Sequence, residues 1–65
     1  MTLIVNGAKL ELDVATLAGA LQALDYGDAV VATALNGHFV AARARGATQL
    51  ADGDRIEIVA PRQGG

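Results

Sequence analysis

Apolar residues fall into short blocks along this chain, and the same two-residue signal separates them twice. Thr2-Leu3-Ile4-Val5 is β-branched and aliphatic, and Lys9-Leu10-Glu11-Leu12-Asp13 alternates strictly between polar and apolar. Asn6-Gly7 stands between them. Both residues tolerate the positive φ that a tight hairpin turn demands, so the pattern predicts a β-hairpin. Val30 to Leu35 is a second β run, nearly continuous in apolar residues. Asn36-Gly37 repeats the turn signal, and His38-Phe39-Val40 reads as the return strand. Between the hairpins the period changes. Leu17, Leu21 and Leu24 recur at i, i+4 and i+7, the stripe of an amphipathic helix. Thr16 is positioned to cap it, its hydroxyl accepting from an orphan N–H of the first turn. Gly19 inside the helix costs roughly 1 kcal/mol against alanine, and no Glu or Gln completes a capping box. Packing on a sheet must therefore hold this helix. Tyr26-Gly27-Asp28 reads as its termination, with Gly27 as the left-handed cap residue.

Residues 41–51 show no clear period, and Gly46 with its small neighbours suggests an irregular crossing. Asp52-Gly53-Asp54 reads as a turn with side-chain-to-backbone bonding. Arg55-Ile56-Glu57-Ile58-Val59 is the final strand. Pro61 cannot donate to a ladder and biases Ala60 towards extended geometry, so the strand stops there. The order is hairpin, helix, hairpin, strand. It predicts an α+β fold, ββαββ, with one helix on one face of a mixed sheet. The helix supplies the long crossover that lets the first and last strands lie side by side and parallel. This is the β-grasp arrangement, with residues 1–60 as the domain and 61–65 as a flexible C-terminal tail. Alternation places Leu3, Val5, Val31, Thr33, Leu35, Ile56 and Ile58 inward and Ile4, Ala32, Ala34 and Val59 outward. With first and last strands adjacent, Ile4 and Val59 are expected to form a modest apolar patch near the tail, a contact surface for a partner.

At 65 residues there is room for one domain with a thin core. No disulfide reinforces it, because the chain has no cysteine, and a lone histidine cannot furnish a zinc site. Stability must come from apolar packing, consistent with 52% hydrophobic residues. A net charge of −2, with Arg43 and Arg45 the nearest approach to a basic cluster, argues against nucleic acid as a partner. No apolar stretch approaches the ~20 residues of a membrane span. The N-terminus reads as a strand from Met1 rather than a signal peptide, so a soluble, cytoplasmic domain is expected.

No self-contained active site is legible. The chain lacks serine and cysteine, and Lys9 is its only lysine, with no glycine-rich phosphate loop around it. His38 follows a turn and reads as an exposed strand residue without the oriented network a catalytic histidine needs. Asp52 and Asp54 read as a turn rather than a metal site, as two carboxylates fall short of a cation's oxygen ligands. Asp13, Asp25 and Asp28 read as solvated loop residues. What remains is the tail. Gly64-Gly65 ends in a carboxylate with no side chain nearby, slim enough to enter a narrow cleft. A carboxylate resists nucleophiles until it is joined to AMP as an acyl-adenylate. Without a nucleotide site or a sulfur donor of its own, the chain reads as a substrate protein rather than an enzyme.

The Asn6-Gly7 turn after the first strand, Val31-Ala32-Thr33-Ala34-Leu35-Asn36-Gly37, Asp52-Gly53-Asp54-Arg55-Ile56-Glu57-Ile58 and the terminal Gln63-Gly64-Gly65 together resemble the thiamine-biosynthesis sulfur carriers, ubiquitin-like β-grasp proteins. The resemblance covers essentially the whole chain. One departure is Val40-Ala41-Ala42-Arg43, where many members carry Val-Pro-Arg after the second hairpin, and it weakens any role for Arg43. The resemblance implies that a ubiquitin-activating-type adenylyltransferase uses ATP and Mg to adenylate Gly65. A persulfide sulfur donor then converts it to a thiocarboxylate, and a thiazole synthase takes the sulfur for thiazole formation. In this reading Gly65 carries the chemistry and Gly64 the slimness of the tail. Pro61, Arg62 and Gln63 set its reach, while Ile4 and Val59 contact partners. No metal and no cofactor is expected on the chain itself. The small subunit of molybdopterin synthase, a carrier for cysteine synthesis and a ubiquitin-like protein modifier share fold and tail and stay open as alternatives.

Overall fold

The computed structural model describes residues 1–61. Its elements in chain order are β1 (Thr2–Val5), β2 (Ala8–Glu11), α1 (Leu17–Ala23), β3 (Ala32–Leu35), β4 (His38–Val40), a 3-10 helix over Ala42–Ala47, and β5 (Arg55–Val59). Both predicted hairpins form. Their turn residues all take positive φ, 49° and 85° at Asn6 and Gly7 and 50° and 85° at Asn36 and Gly37, the geometry that makes Asn-Gly the preferred pair. The strands build one five-stranded sheet in the order β2-β1-β5-β3-β4. β5 runs parallel to β1, with Ile4 beside Arg55 and Val5 beside Ile56, and antiparallel to β3. The predicted α+β, ββαββ architecture is therefore the one observed, with the last strand of the chain at the centre of the sheet.

Alternation assigns the inner face as expected. Leu3, Val5, Ile56 and Ile58 are buried against Leu17, Ala20 and Leu21 of α1. Leu10, Val31 and Leu35 pack at the margin of this cluster. Burying each large aliphatic side chain contributes about 1.5–3 kcal/mol, and these few side chains are most of what a chain of this size has. Leu50 closes the end of the core. It is held there by the strand-like exchange in which Leu17 N–H donates to Thr48 O (2.9 Å) and Leu50 N–H to Ala15 O (3.0 Å).

The helix starts as predicted and stops differently. Thr16 Oγ1 accepts from Gly19 N–H at 3.1 Å. At the other end the left-handed residue is Asp25, with φ 65°, and not Gly27. Tyr26 N–H donates to Leu21 O (2.8 Å) and Asp25 N–H to Gln22 O (3.1 Å), which is the paired bonding of a Schellman cap. Tyr26 packs on the core and so decides the position of the cap. Moving it two residues on, to the glycine, would carry the tyrosine off the cluster.

Two further segments depart from expectation. β3 begins at Ala32 rather than Val30, and Val30 is 81% exposed. The reason lies in register: Ala32 faces Val59, the last residue of β5, so residues before Ala32 have no strand to pair with. Residues 42–47, read as irregular, form the 3-10 helix, stapled by Thr48 Oγ1 donating to Ala44 O at 2.8 Å.

An αL aspartate can be relieved by glycine, whereas a β-branched residue is a poor occupant of that region. Asp25→Gly is expected to leave stability equal or raise it by about 0.5–1 kcal/mol, and Asp25→Val to lower it by about 1–2 kcal/mol. Urea unfolding of the two variants beside the parent measures both changes.

Candidate functional site at the exit of the last strand

The site is built around where β5 delivers the chain. Val59, Ala60 and Pro61 are exposed, and the segment leaves the sheet from its centre rather than from an edge. Arg62, Gln63, Gly64 and Gly65, to which the sequence assigns the reach, slimness and chemistry of the tail, lie outside the described residues. Pro61 lies two residues past Val59, where β5 ends.

Both asparagines of the hairpin turns grip β5. Asn6 N–H donates to Ile56 O at 2.9 Å. Its side chain then accepts from Ile58 N–H at 2.8 Å and donates to Ile58 O at 3.2 Å. Asn36 does the equivalent at the start of the strand. Its N–H donates to Arg55 O (2.8 Å), its Oδ1 accepts from Arg55 N–H (3.0 Å), and its Nδ2 donates to Asp54 Oδ1 (3.0 Å). The sequence reading treated these residues only as turn formers. Their side-chain partners lie 52 and 19 residues away, beyond the range of any local pattern.

On the outer face the expected patch is rearranged. Ile4 lies beside Arg55, four residues back along β5 from Val59, or about 13 Å at strand spacing. The two are therefore not neighbours, because β1 ends at Val5, level with Ile56, and runs out before Val59. Val59 instead faces Ala32. Phe39 faces Ala34, which in turn faces Glu57. Phe39 is 74% exposed and Val59 62%. The small side chains of Ala32 and Ala34 leave the sheet low between them. The apolar surface next to the exit is thus Phe39, Ala34, Ala32 and Val59. Phe39 was missed, although a two-residue turn at Asn36-Gly37 pairs it with Ala34 by counting alone. Ile4 instead lines a depression of about 460 Å³ with Gly7, Asn36, Gly37, Arg55 and Glu57.

Beneath this surface one polar contact fixes the start of β3. Thr33 is buried, its hydroxyl donating to Val40 O at 2.9 Å and accepting from Arg45 Nε at 3.0 Å. Arg45 also donates to Val31 O at 2.7 Å, replacing the strand partner that Val31 lacks. Arg45, read from sequence only as part of a weak basic pair, is a strut between the 3-10 helix and the sheet.

The remaining polar candidates have structural partners. Asp52 Oδ1 accepts from Thr2 N–H (2.7 Å), and Asp54 Oδ2 from Ala51 N–H (2.8 Å). They serve the turn at Gly53, whose φ is 88°. Among the described residues no cluster of three His, Cys, Asp or Glu side chains is placed to hold a metal ion. His38 is exposed on β4. Glu11, on the β2 edge, accepts from Thr2 Oγ1 at 2.7 Å. That bond first, and then the Met1 ammonium, holds its carboxyl below the usual range. A lowered folded-state value stabilises above the unfolded pKa and is lost as pH falls through the folded one, so Glu11 supports the β1–β2 edge at neutral pH. No helix among the described residues is long and apolar enough to cross a membrane.

A central parallel pair of strands, a single crossover helix on one face and a chain end released from the sheet's middle strand define a ubiquitin-like β-grasp protein. The model of the ThiS family matches residues 3–65, and the chain belongs to that family. It is similar over its full length to the crystal structure of the thiamine biosynthesis protein ThiS from Geobacter metallireducens. The TM-score is 0.83 and the identity 35%, with 100% of each chain covered. The comparison with curated protein sequences gives no match.

If Arg45 is the strut described, replacing its guanidinium while keeping its apolar stem should leave Thr33 and Val31 short of a partner. Arg45→Met is expected to lower stability by about 1–2 kcal/mol. Amide exchange of β3 should rise while that of β2 stays as in the parent, which a hydrogen-exchange measurement resolves.

Proposed function

We propose that this protein is a sulfur carrier of thiamine biosynthesis, whose Gly65 carboxylate is the reacting group and whose folded domain is what partner enzymes hold. The observation that carries this reading is the exit geometry. The central strand ends at Val59, Pro61 follows exposed, and a Gly-Gly terminus lies a few residues beyond. Membership of the ThiS family and the likeness to a thiamine biosynthesis protein support the pathway.

The chemistry follows from the group. A Gly65 carboxylate oxygen attacks the α-phosphorus of ATP on a ubiquitin-activating-type adenylyltransferase, releasing pyrophosphate and leaving an acyl-adenylate, with Mg serving that partner. The terminal sulfur of a persulfide donor attacks the acyl carbon and AMP departs. A thiol then cleaves the S–S bond of the acyl disulfide, and the thiocarboxylate remains on Gly65. A thiazole synthase accepts that sulfur. Throughout, this chain supplies position and not catalysis. Gly64 has no Cβ to meet the walls of a narrow cleft, and Pro61, Arg62 and Gln63 span the gap between sheet and cleft. Phe39, Ala34, Ala32 and Val59 form the docking surface for the activating enzyme, since an apolar patch beside the exit brings tail and cleft together in one contact. Ile4, on the far side of Arg55, serves as a peripheral contact.

Intact mass spectrometry of the protein incubated with such an adenylyltransferase, ATP, Mg and a persulfide donor tests the reading. The expected product is heavier by the replacement of one oxygen by sulfur, located on Gly65. A Gly64→Val variant should form it on the order of a hundredfold more slowly, as misplacement of a reacting group costs about that much. Amide-linked conjugates to other proteins would instead favour a modifier, and a thiocarboxylate that a thiazole synthase refuses would favour another sulfur pathway.

The docking surface has its own test. Phe39→Asp should raise KM for adenylation by about tenfold or more, the effect of losing a central aromatic contact. Thermal unfolding should be little changed, because Phe39 is exposed. Lys9→Asp, on the β2 edge, should leave KM as it was.

A further inference from the structure

β5 outlasts β1. The last backbone bond that β1 offers is Asn6 N–H to Ile56 O at 2.9 Å, after which the chain reverses at Gly7. Ile58, two residues further towards the tail, is nevertheless paired on that side. Its N–H donates to Asn6 Oδ1 at 2.8 Å and its carbonyl accepts from Asn6 Nδ2 at 3.2 Å. A carboxamide presents one acceptor and two donors in a plane, much as a peptide group presents its own pair. The Asn6 side chain thus acts as the residue that β1 lacks, and lengthens the parallel ladder by one rung. It is the last rung on that side before Pro61, which has no N–H to offer.

The turn itself does not need this side chain. At φ 49° glycine is at least as comfortable as asparagine. The carboxamide's distinct work is therefore on Ile58. Asn36 provides an internal comparison. It occupies the same turn position at φ 50° and makes the same kind of side-chain bond, but to Arg55 at the opposite end of β5.

We infer that Asn6 is a positioning residue for the tail: by pairing Ile58 beyond the end of β1, its carboxamide sets the direction in which Val59, Ala60 and Pro61 leave the sheet. This deepens the carrier reading and rests on it for its consequence in catalysis. A tail whose first residues point one way spends more of its time in the conformer a partner's cleft accepts. Apparent affinity falls in proportion to the fraction of molecules in that conformer. Asn6 touches no reacting atom, so its loss should act on recognition and leave the chemical step alone.

The experiment compares Asn6→Gly with Asn36→Gly in the full chain. Each keeps its turn and loses its side-chain bonds to β5. In Asn6→Gly, amide exchange of Ile58 should rise at least tenfold and the N–H residual dipolar couplings of Val59 and Ala60 should change, while Leu3 and Ile56 stay protected. KM for ATP–pyrophosphate exchange on the adenylyltransferase should rise about fivefold with kcat retained. Asn36→Gly should expose Arg55 instead and leave the KM and the Ala60 coupling at parental values. Asn6→Asp keeps the acceptor for Ile58 N–H but sets an oxygen against Ile58 O, so it should fall between parent and glycine; it also serves if Asn6→Gly fails to fold. Couplings at Ala60 that match the parent's in Asn6→Gly would overturn the inference, as would equal KM shifts in the two glycine variants. If the parent itself supports no exchange, the carrier reading falls, and the couplings still decide what Asn6 does.

Discussion

Everything in this small domain depends on the last strand lying in the middle of the sheet. β5 pairs with β1 on one side and β3 on the other, so neither hairpin reaches the other except through it. Its inward side chains, Ile56 and Ile58, sit under the helix and join the buried residues of β1 to the rest of the core. The sheet therefore cannot close until the two ends of the chain meet, a contact across some fifty residues whose loop-closure entropy must be met before it is rewarded. The same placement gives the domain its outlet. A strand flanked on both sides leaves the sheet on a defined course, whereas an edge strand would be free to peel away.

Polar residues secure that strand with few atoms. Asn6 and Asn36 each supply a turn conformation and then spend a carboxamide on β5. Asp52 and Asp54 hold the approach to it, binding Thr2 N–H and Ala51 N–H. Thr33 and Arg45 satisfy each other inside the sheet and tie in Val31 and Val40. Among the described residues no buried side-chain polar atom is left without a partner. In a core this thin that matters, since each unpaired buried group would cost about 1–3 kcal/mol, a large share of the total stability.

The two faces of the sheet divide the labour. The inner face carries the aliphatic side chains that hold the helix. The outer face keeps Phe39 and Val59 in solvent beside the exit, with two alanines between. In the carrier function proposed above, these exposed apolar side chains are the surface offered to a partner. Local signals made much of this legible. Asn-Gly marked both turns, alternation sorted Leu3, Val5, Ile56 and Ile58 to the inside, and Thr16 announced the helix. The register of β5 against β1 and β3 was not legible, and it decided that Ile4 lies beside Arg55 and Val59 beside Ala32.

By itself, the sequence determined the five strands and the main helix, their order, and the face that the strand side chains take. Those properties follow from backbone sterics and from the period of the apolar residues. Only the tertiary structure decided how far β5 runs past β1, that Asp25 rather than Gly27 takes the left-handed position after the helix, that Arg45 is a strut, and that Asn6 reaches Ile58. Each of these is a bond between residues far apart in the chain, or a choice among caps settled by where Tyr26 finds the core. Such choices rest on packing energies that no local window of sequence contains.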